Sequence, residues 1–202
     1  MDDKFQQRYL LHQKHKQAQF FSPYGEQKPI LPLNMKNKYI SLLINRRSQR
    51  IFNSKPIDNK EFDHLLKCLV ESPSSCNRQA ISIKTITERN EKEILTGILV
   101  GGVGWCHRAD KILLLFANIE AYKEKLKYMP FLDAGVIVMN CYLACESIGL
   151  GCCFINPNIR PENKNIFKKK FGSKLFCGAL TIGHYDKKSL YSTKISKFEI
   201  LL

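Results

Sequence analysis

Three guanidinium groups and a hydroxyl fall within five residues at Arg46, Arg47, Ser48 and Arg50. Guanidinium forks match phosphate oxygens two at a time, and a serine adds another donor, so the natural chemistry is a phosphate grip. The plain alternative is a solvated basic helix end. Further on, Pro73, Ser74, Ser75, Cys76, Asn77 and Gln79 gather hydroxyls, amides and backbone N–H groups in a small space. Such a run can hydrogen-bond a flat heterocycle, or simply turn the chain. His107 follows Trp105 and Cys106 beside the glycine-rich stretch 101–104, which lacks the G-x-G-x-x-G order of a dinucleotide loop. It faces a substrate pocket or serves a structural loop. Tyr128 and Met129, ahead of a long apolar stretch, wall the same pocket or pack.

These groups need elements to hold them. Apolar residues at 40 and 42–44 give one or two helical turns running into the arginines. Asp58 and Glu61 form a capping-box pattern, followed by Phe62, Leu65, Leu66 and Val70 at helical spacing, and Pro73 stops that helix. Residues 80–87 alternate like a half-buried strand, 91–100 read as a helix closed by Gly101 and Gly102, and 111–117 as a strand buried on both faces. A short charged helix is expected over 119–127, a long buried one over 130–148 with Gly149 as its cap, and a basic one over 160–171. Two more strands fall at 152–155 and 175–182. Loosely alternating helices and strands give an α/β or α+β sheet domain.

Length and composition agree with one well-cored domain: 202 residues, 44% hydrophobic and 25% charged. Asp133, Asn140 and Glu146 interrupt the longest apolar run, which argues for a buried helix and no membrane span. The first residues lack a secretory leader pattern, and eight cysteines mostly inside apolar runs suit reduced thiols in a cytoplasmic protein. Cys141 and Cys145 share a helical face, and Cys152 and Cys153 are adjacent. No C-x-x-C pair and no nearby His accompany them, so no metal site is expected. The net charge of +14 is concentrated at the two ends, residues 1–40 and 160–202. It favours anionic partners, from phosphorylated cofactors to nucleic acid, without choosing among them.

Taken in order, R-R-S-x-R at 46–50, I-D-x-x-x-F-x-x-L-L from Ile57, P-S-S-x-N-R-Q from Pro73, D-A-G from Asp133 and G-L-G-x-x-x-I from Gly149 resemble the nitroreductase family of FMN-dependent oxidoreductases. The resemblance runs from about residue 40 to residue 185. It implies an α+β fold with a central, mainly antiparallel sheet flanked by helices, and two FMN sites at the interface of an intertwined homodimer. Residues 39–202 would be the FMN-binding domain and 1–38 a basic N-terminal arm. By the same resemblance, Arg46, Arg47, Ser48 and Arg50 bind the FMN phosphate and ribityl chain. Pro73, Ser74, Ser75, Cys76 and Asn77 reach the flavin from the other subunit, with Gln79 supporting the loop. Ile155, Asn156, Pro157 and Asn158 lie over the flavin, where a backbone N–H can meet its N5. Lys187, Lys188 or Lys194 completes the phosphate site.

The implied activity is transfer of a hydride from NAD(P)H through the flavin to a small conjugated acceptor such as a nitroaromatic or quinone. The flavin carries the chemistry, so no catalytic side chain is expected. Two other readings stand beside it: a flavin- or nucleotide-binding protein without turnover, and a basic nucleic-acid-binding protein, the latter lacking any recognition motif. The chain departs from the family pattern at Ala80 and Ile81, where Pro and an aromatic are usual, and at 183–186, where Gly-Tyr-Pro is common. Those departures bear on the substrate more than on the flavin.

Overall fold

The computed structural model describes residues 38–122, 127–195 and 200. The arm expected over residues 1–38 lies outside them, except that Lys38 already begins helix α1 (Lys38–Asn45). Helix α2 (Asn59–Val70) starts on the capping box read from the sequence: Glu61 N–H donates to Asp58 Oδ1 at 2.7 Å and Asp58 N–H to Glu61 Oε2 at 3.2 Å. Strand β1 (Ile81–Ile86), helix α3 (Arg89–Ile98), strand β2 (Lys111–Ala117), helix α4 (Met129–Ser147), strand β3 (Gly151–Ile155), helix α5 (Lys164–Phe171) and strand β4 (Leu175–Gly183) follow.

The four strands form one antiparallel sheet in the order β1-β2-β4-β3. Because side chains alternate across a strand, β2 divides its apolar residues between two faces. Leu113, Leu115 and Ala117 join Leu65 and Leu69 of α2 and Ala134, Cys141 and Cys145 of α4 in one core. Ile112, Leu114 and Phe116 join Leu95 and Ile98 of α3 and Phe167 and Phe171 of α5 in the other. The molecule is therefore three layers with the sheet in the middle, the α+β arrangement expected. Among the described residues α4 is one helix long and apolar enough to cross a membrane. Here it lies on the sheet against α2 and β3, with Asp133, Ala134, Cys141, Tyr142, Ala144 and Cys145 buried.

Three expectations need correction. In place of the helix expected over 119–127, the described residues show a 3₁₀ turn at Ile119–Ala121 that Tyr122, extended, interrupts; 123–126 lie outside them. Asn118 Oδ1 accepts from Glu120 N–H to start the turn, and a hydrogen bond from the Tyr122 hydroxyl to Asp133 draws the chain away. Helix α3 ends at Ile98 rather than at the glycines. Leu99 is extended and bridges Ile159, with Val100 N–H bonded to Asn158 O and Arg160 N–H to Ile98 O. The basic helix begins only at Lys164, after a 3₁₀ turn at Pro161–Asn163.

Strand β4 carries a bulge, since Leu115 faces Gly178 while Phe116 faces Phe176. Gly178 takes φ +124°, and a Cβ there would lie 2.4 Å from the Phe154 ring and 2.9 Å from Ile155 O. Gly149, which ends α4 at φ +76°, has open space around it. Gly178→Ala is expected to lower stability in urea unfolding by about 3 kcal/mol, from overpacking added to backbone strain, and Gly149→Ala by only about 1 kcal/mol. Equal losses would contradict the role given to the Phe154 contact.

Candidate flavin and phosphate site

The arginine run leaves α1 and is laid along the edge of the sheet. Ser48 makes a parallel bridge with Cys152 of β3, and Gln49 N–H donates to Cys152 O at 2.9 Å. Gln49, only 2% exposed, holds the C-terminal tail against this run. Its Nε2 donates to Ile51 O and Lys187 O, and its Oε1 accepts from the N–H and the hydroxyl of Ser189. A Cβ on Gly151 would lie 2.5 Å from Gln49 Cγ, so the small residue in the G-L-G stretch is what lets Gln49 sit there.

This fastening creates a cleft of about 260 Å³ lined by Leu43, Ile44, Arg46, Arg47, Ser48, Tyr191, Ser192 and Lys194. The Arg46 guanidinium lies over the Tyr142 ring at 4.8 Å, and its Nε is buried without a hydrogen-bond partner among the described residues. Arg47 lies over Tyr191 at 4.6 Å and donates to Ile44 O and Arg46 O at 2.9 Å each. Burial lowers the Arg47 pKa from its ordinary value, opposed by Tyr191 and Glu146. A guanidinium remains charged under such a shift. Ser48 Oγ is 3.2 Å from the Tyr142 hydroxyl, which also accepts from Phe154 N–H at 2.8 Å. Of the three lysines considered, Lys194 reaches the cleft, Lys188 is ion-paired with Glu146, and Lys187 is held through its carbonyl by Gln49.

Arg50 turns the other way. It donates to Ser48 O at 3.3 Å and lies 5.9 Å from the centre of the Trp105 ring. The glycine-rich loop closes against the end of β3, where a Cβ on Gly101 or Gly102 would come within 3.0 or 2.6 Å of the Ile155 side chain. Ile155 is buried there; of the residues that follow, Pro157 has no N–H, and Asn158 N–H donates to Asn156 Oδ1 at 3.2 Å. His107 sits in the 3₁₀ turn Cys106–Arg108, where burial and then Arg108 lower its pKa. Tyr128 precedes α4, exposed, and Met129 opens it. None of these three lines the arginine cleft.

The loop 73–79 is tied down separately. Asp133, at the start of α4 and 4% exposed, accepts from Ser75 N–H at 3.0 Å, Ser75 Oγ at 2.8 Å and the Tyr122 hydroxyl at 2.7 Å. Burial alone raises the Asp133 pKa, but these three donors, aided by Arg78, outweigh it and hold the carboxylate below its ordinary value. Arg78 donates to Ser75 O and Ala121 O, and Ser74 Oγ accepts from Gln79 N–H. Cys76, Asn77 and Gln79 all have positive φ, near +50°. Three non-glycine residues in that conformation within four positions need such an anchor. Tyr142 lies nine positions after Asp133 on α4, about 13.5 Å along the axis at 1.5 Å per residue. Within one chain, then, the loop and the arginine cleft are different places.

Tyr142, Tyr191, Ser192, Gln49 and the pair Tyr122–Asp133 carry much of this arrangement without having stood out as site residues in the sequence. The one signal was the D-A-G triplet, which marked Asp133 without giving it a role.

The sequence model of the nitroreductase family matches residues 43–101 and 100–184. The chain is 26% identical over 131 residues to an FMN reductase [NAD(P)H] of Bacillus subtilis, covering 57% of this chain and 52% of that protein. It is 25% identical over 129 residues to an NADPH-flavin oxidoreductase of Vibrio harveyi, covering 59% and 53%. It thus spans about half the length of these relatives. Among solved structures, nitroreductase A of Vibrio parahaemolyticus superposes with a TM-score of 0.74 at 21% identity, over 83% of this chain and 76% of that one. A Desulfovibrio desulfuricans protein described as a nitroreductase and solved in complex with FMN gives 0.71 at 22%, over 83% and 97%. With the family matched across most of its length and the same fold recovered, this chain belongs to the nitroreductase family.

Proposed function

We propose that the protein is an FMN-dependent oxidoreductase that works as a homodimer, takes electrons from NAD(P)H and passes them to a small conjugated acceptor. The observation that carries this reading is the cleft of Arg46, Arg47, Ser48 and Lys194, where the buried Arg46 Nε has no hydrogen-bond partner among the described residues. A buried donor without a partner costs about 1–3 kcal/mol, and a phosphate oxygen would satisfy it. The residues present therefore fit the phosphate end of FMN. The relatives' names, FMN reductase and NADPH-flavin oxidoreductase, support the same cofactors.

When bound, FMN would supply two-electron chemistry, and the chain would supply position and solvent exclusion. Arg46, Arg47, Ser48 and Lys194 would hold the phosphate, with Arg50 toward the ribityl chain. Asn156 is the candidate N–H donor to the ring, since Pro157 has none and that of Asn158 is engaged. Pro73, Ser74, Ser75, Cys76 and Asn77, braced by Gln79 and Asp133, would close the site from the second subunit. Trp105, His107, Tyr128 and Met129 would border the acceptor. A cleft of about 260 Å³ is smaller than the ~300–1,000 Å³ usual for sites that enclose a whole ligand. A second copy is needed to complete it, and α4 leaves an apolar face of Phe131, Leu132, Val136 and Met139 uncovered for that contact. Eight free cysteines support a reducing, cytoplasmic setting.

The test is spectroscopic. Dimeric protein purified with FMN should be yellow, with one flavin per chain, and anaerobic NADH or NADPH should bleach it within seconds. Colourless protein that takes up no added FMN, or bound FMN bleached by dithionite and by neither nicotinamide, would contradict the reading.

A further inference from the structure

Away from the cleft, three thiols meet in the core. Cys141 and Cys145 lie one turn apart on α4, Cys152 faces them from β3, and the three Sγ atoms all lie within 4.8 Å of one another. The Cys141 and Cys152 sulfurs are 3.8 Å apart, so they touch without being bonded. All three residues are at most 2% exposed, in the apolar cluster that also holds Leu65, Leu150 and Leu180. Adjacent strand positions point to opposite faces, so Cys153 turns instead toward Tyr142 and Ser48 at the cleft. In sequence Cys152 lies seven residues beyond Cys145, with no C-x-x-C pair to mark a site. The fold separates Cys152 from Cys153 and brings Cys152 to the helical pair.

Three sulfurs bound to one centre at the ~2.3 Å of a metal–thiolate bond lie roughly 3.5–4 Å apart, so small rotations about the Cys side chains would place an ion between these three. Thiolates select soft ions. Zinc takes four ligands in structural sites, and among the described residues no fourth Cys, His, Asp or Glu joins this group. Charge decides further. Three thiolates leave one net negative charge on Zn²⁺ and two on Cu⁺, and a net charge in an apolar core is strongly disfavoured. Only a trivalent ion is both three-coordinate and neutral here.

We propose that Cys141, Cys145 and Cys152 form a three-thiolate site for a trivalent thiophilic ion of the arsenic or antimony class. With arsenous acid, three As–O bonds break and three As–S bonds form. The three thiol protons leave with the three hydroxides as water, and arsenic stays trivalent, so no electrons are exchanged. The product staples α4 to β3.

The probe is arsenite, added to the reduced full-length chain for long enough that slow entry into a buried site is complete, then removed. Native mass spectrometry should show one arsenic per chain with three hydrogens lost, the signature of three As–S bonds. The double variant Cys68→Ser/Cys76→Ser, which removes the two cysteines that are not buried, should keep the adduct, as should Cys177→Ala. Cys145→Ala should weaken retention at least tenfold. If Cys145→Ala fails to fold, the hydrogen loss in the wild type and in the double variant still decides the matter. No adduct, an adduct that has lost fewer than three hydrogens, or one abolished by Cys68→Ser/Cys76→Ser would overturn the proposal. Zn²⁺ retained more tightly than arsenite would overturn it as well.

Discussion

Arg46→Ala combined with Arg47→Ala should weaken FMN binding at least a hundredfold and leave the purified protein colourless. Both arginines line the cleft, and Arg46 Nε has no partner among the described residues. A hydrogen bond to a charged group contributes about 1.5–3 kcal/mol, so two lost contacts remove about 3 kcal/mol or more, and each 1.4 kcal/mol is tenfold in affinity. The fold should tolerate the change, because the arginine run is fastened mainly through Gln49 and the Ser48 bridge to β3. Fluorescence titration with FMN is the measurement. An affinity within a few fold of the wild type would move the phosphate elsewhere.

Asp133→Ala should be the most damaging single change at the loop. It leaves the Tyr122 hydroxyl and both donors of Ser75 without their acceptor in a place water reaches poorly. Loss of a buried carboxylate that satisfies several donors costs about 3–5 kcal/mol. At about 2–4 °C per kcal/mol for a domain of this size, the melting temperature should fall by roughly 6–20 °C. The pH dependence has a definite sign. Because the folded carboxylate titrates below its ordinary value, its stabilisation is fully present above the unfolded value near pH 4 and is lost as pH falls through the lower folded one. The stability gap between wild type and Asp133→Ala should therefore be constant near neutrality and shrink only below about pH 4. A gap that is small, or that closes near pH 6–7, would contradict the anchor. Asp133→Asn keeps one acceptor oxygen and should fall between the two.

What was legible in the sequence was local. The capping box of α2 needed only Asp58 and Glu61 three residues apart, and β2 announced itself as an unbroken apolar run between a lysine and an alanine. The arginines and Ser48 stood out by their own chemistry. The acceptors and braces around them were not, because they are distant in the chain. Gln49 meets Ser189 across 140 residues, Ser48 meets Tyr142 across 94, and Ser75 meets Asp133 across 58. Misread elements failed for the same reason. The helical pattern of 119–127 yields at Tyr122 to a tertiary bond with Asp133, and α3 stops short because Leu99 and Val100 pair with 158–159. That Lys194 lines the cleft while Lys188 pairs with Glu146 likewise depends on contacts distant in the chain.

The most direct measurement is a side-by-side calorimetric titration of the apoprotein with FMN and with riboflavin, which share a ring and ribityl chain and differ by the phosphate. With the phosphate held by Arg46, Arg47, Ser48 and Lys194, FMN should bind at least a hundredfold more tightly, one per chain, and the difference should narrow as salt rises. Equal affinities for the two ligands would contradict it.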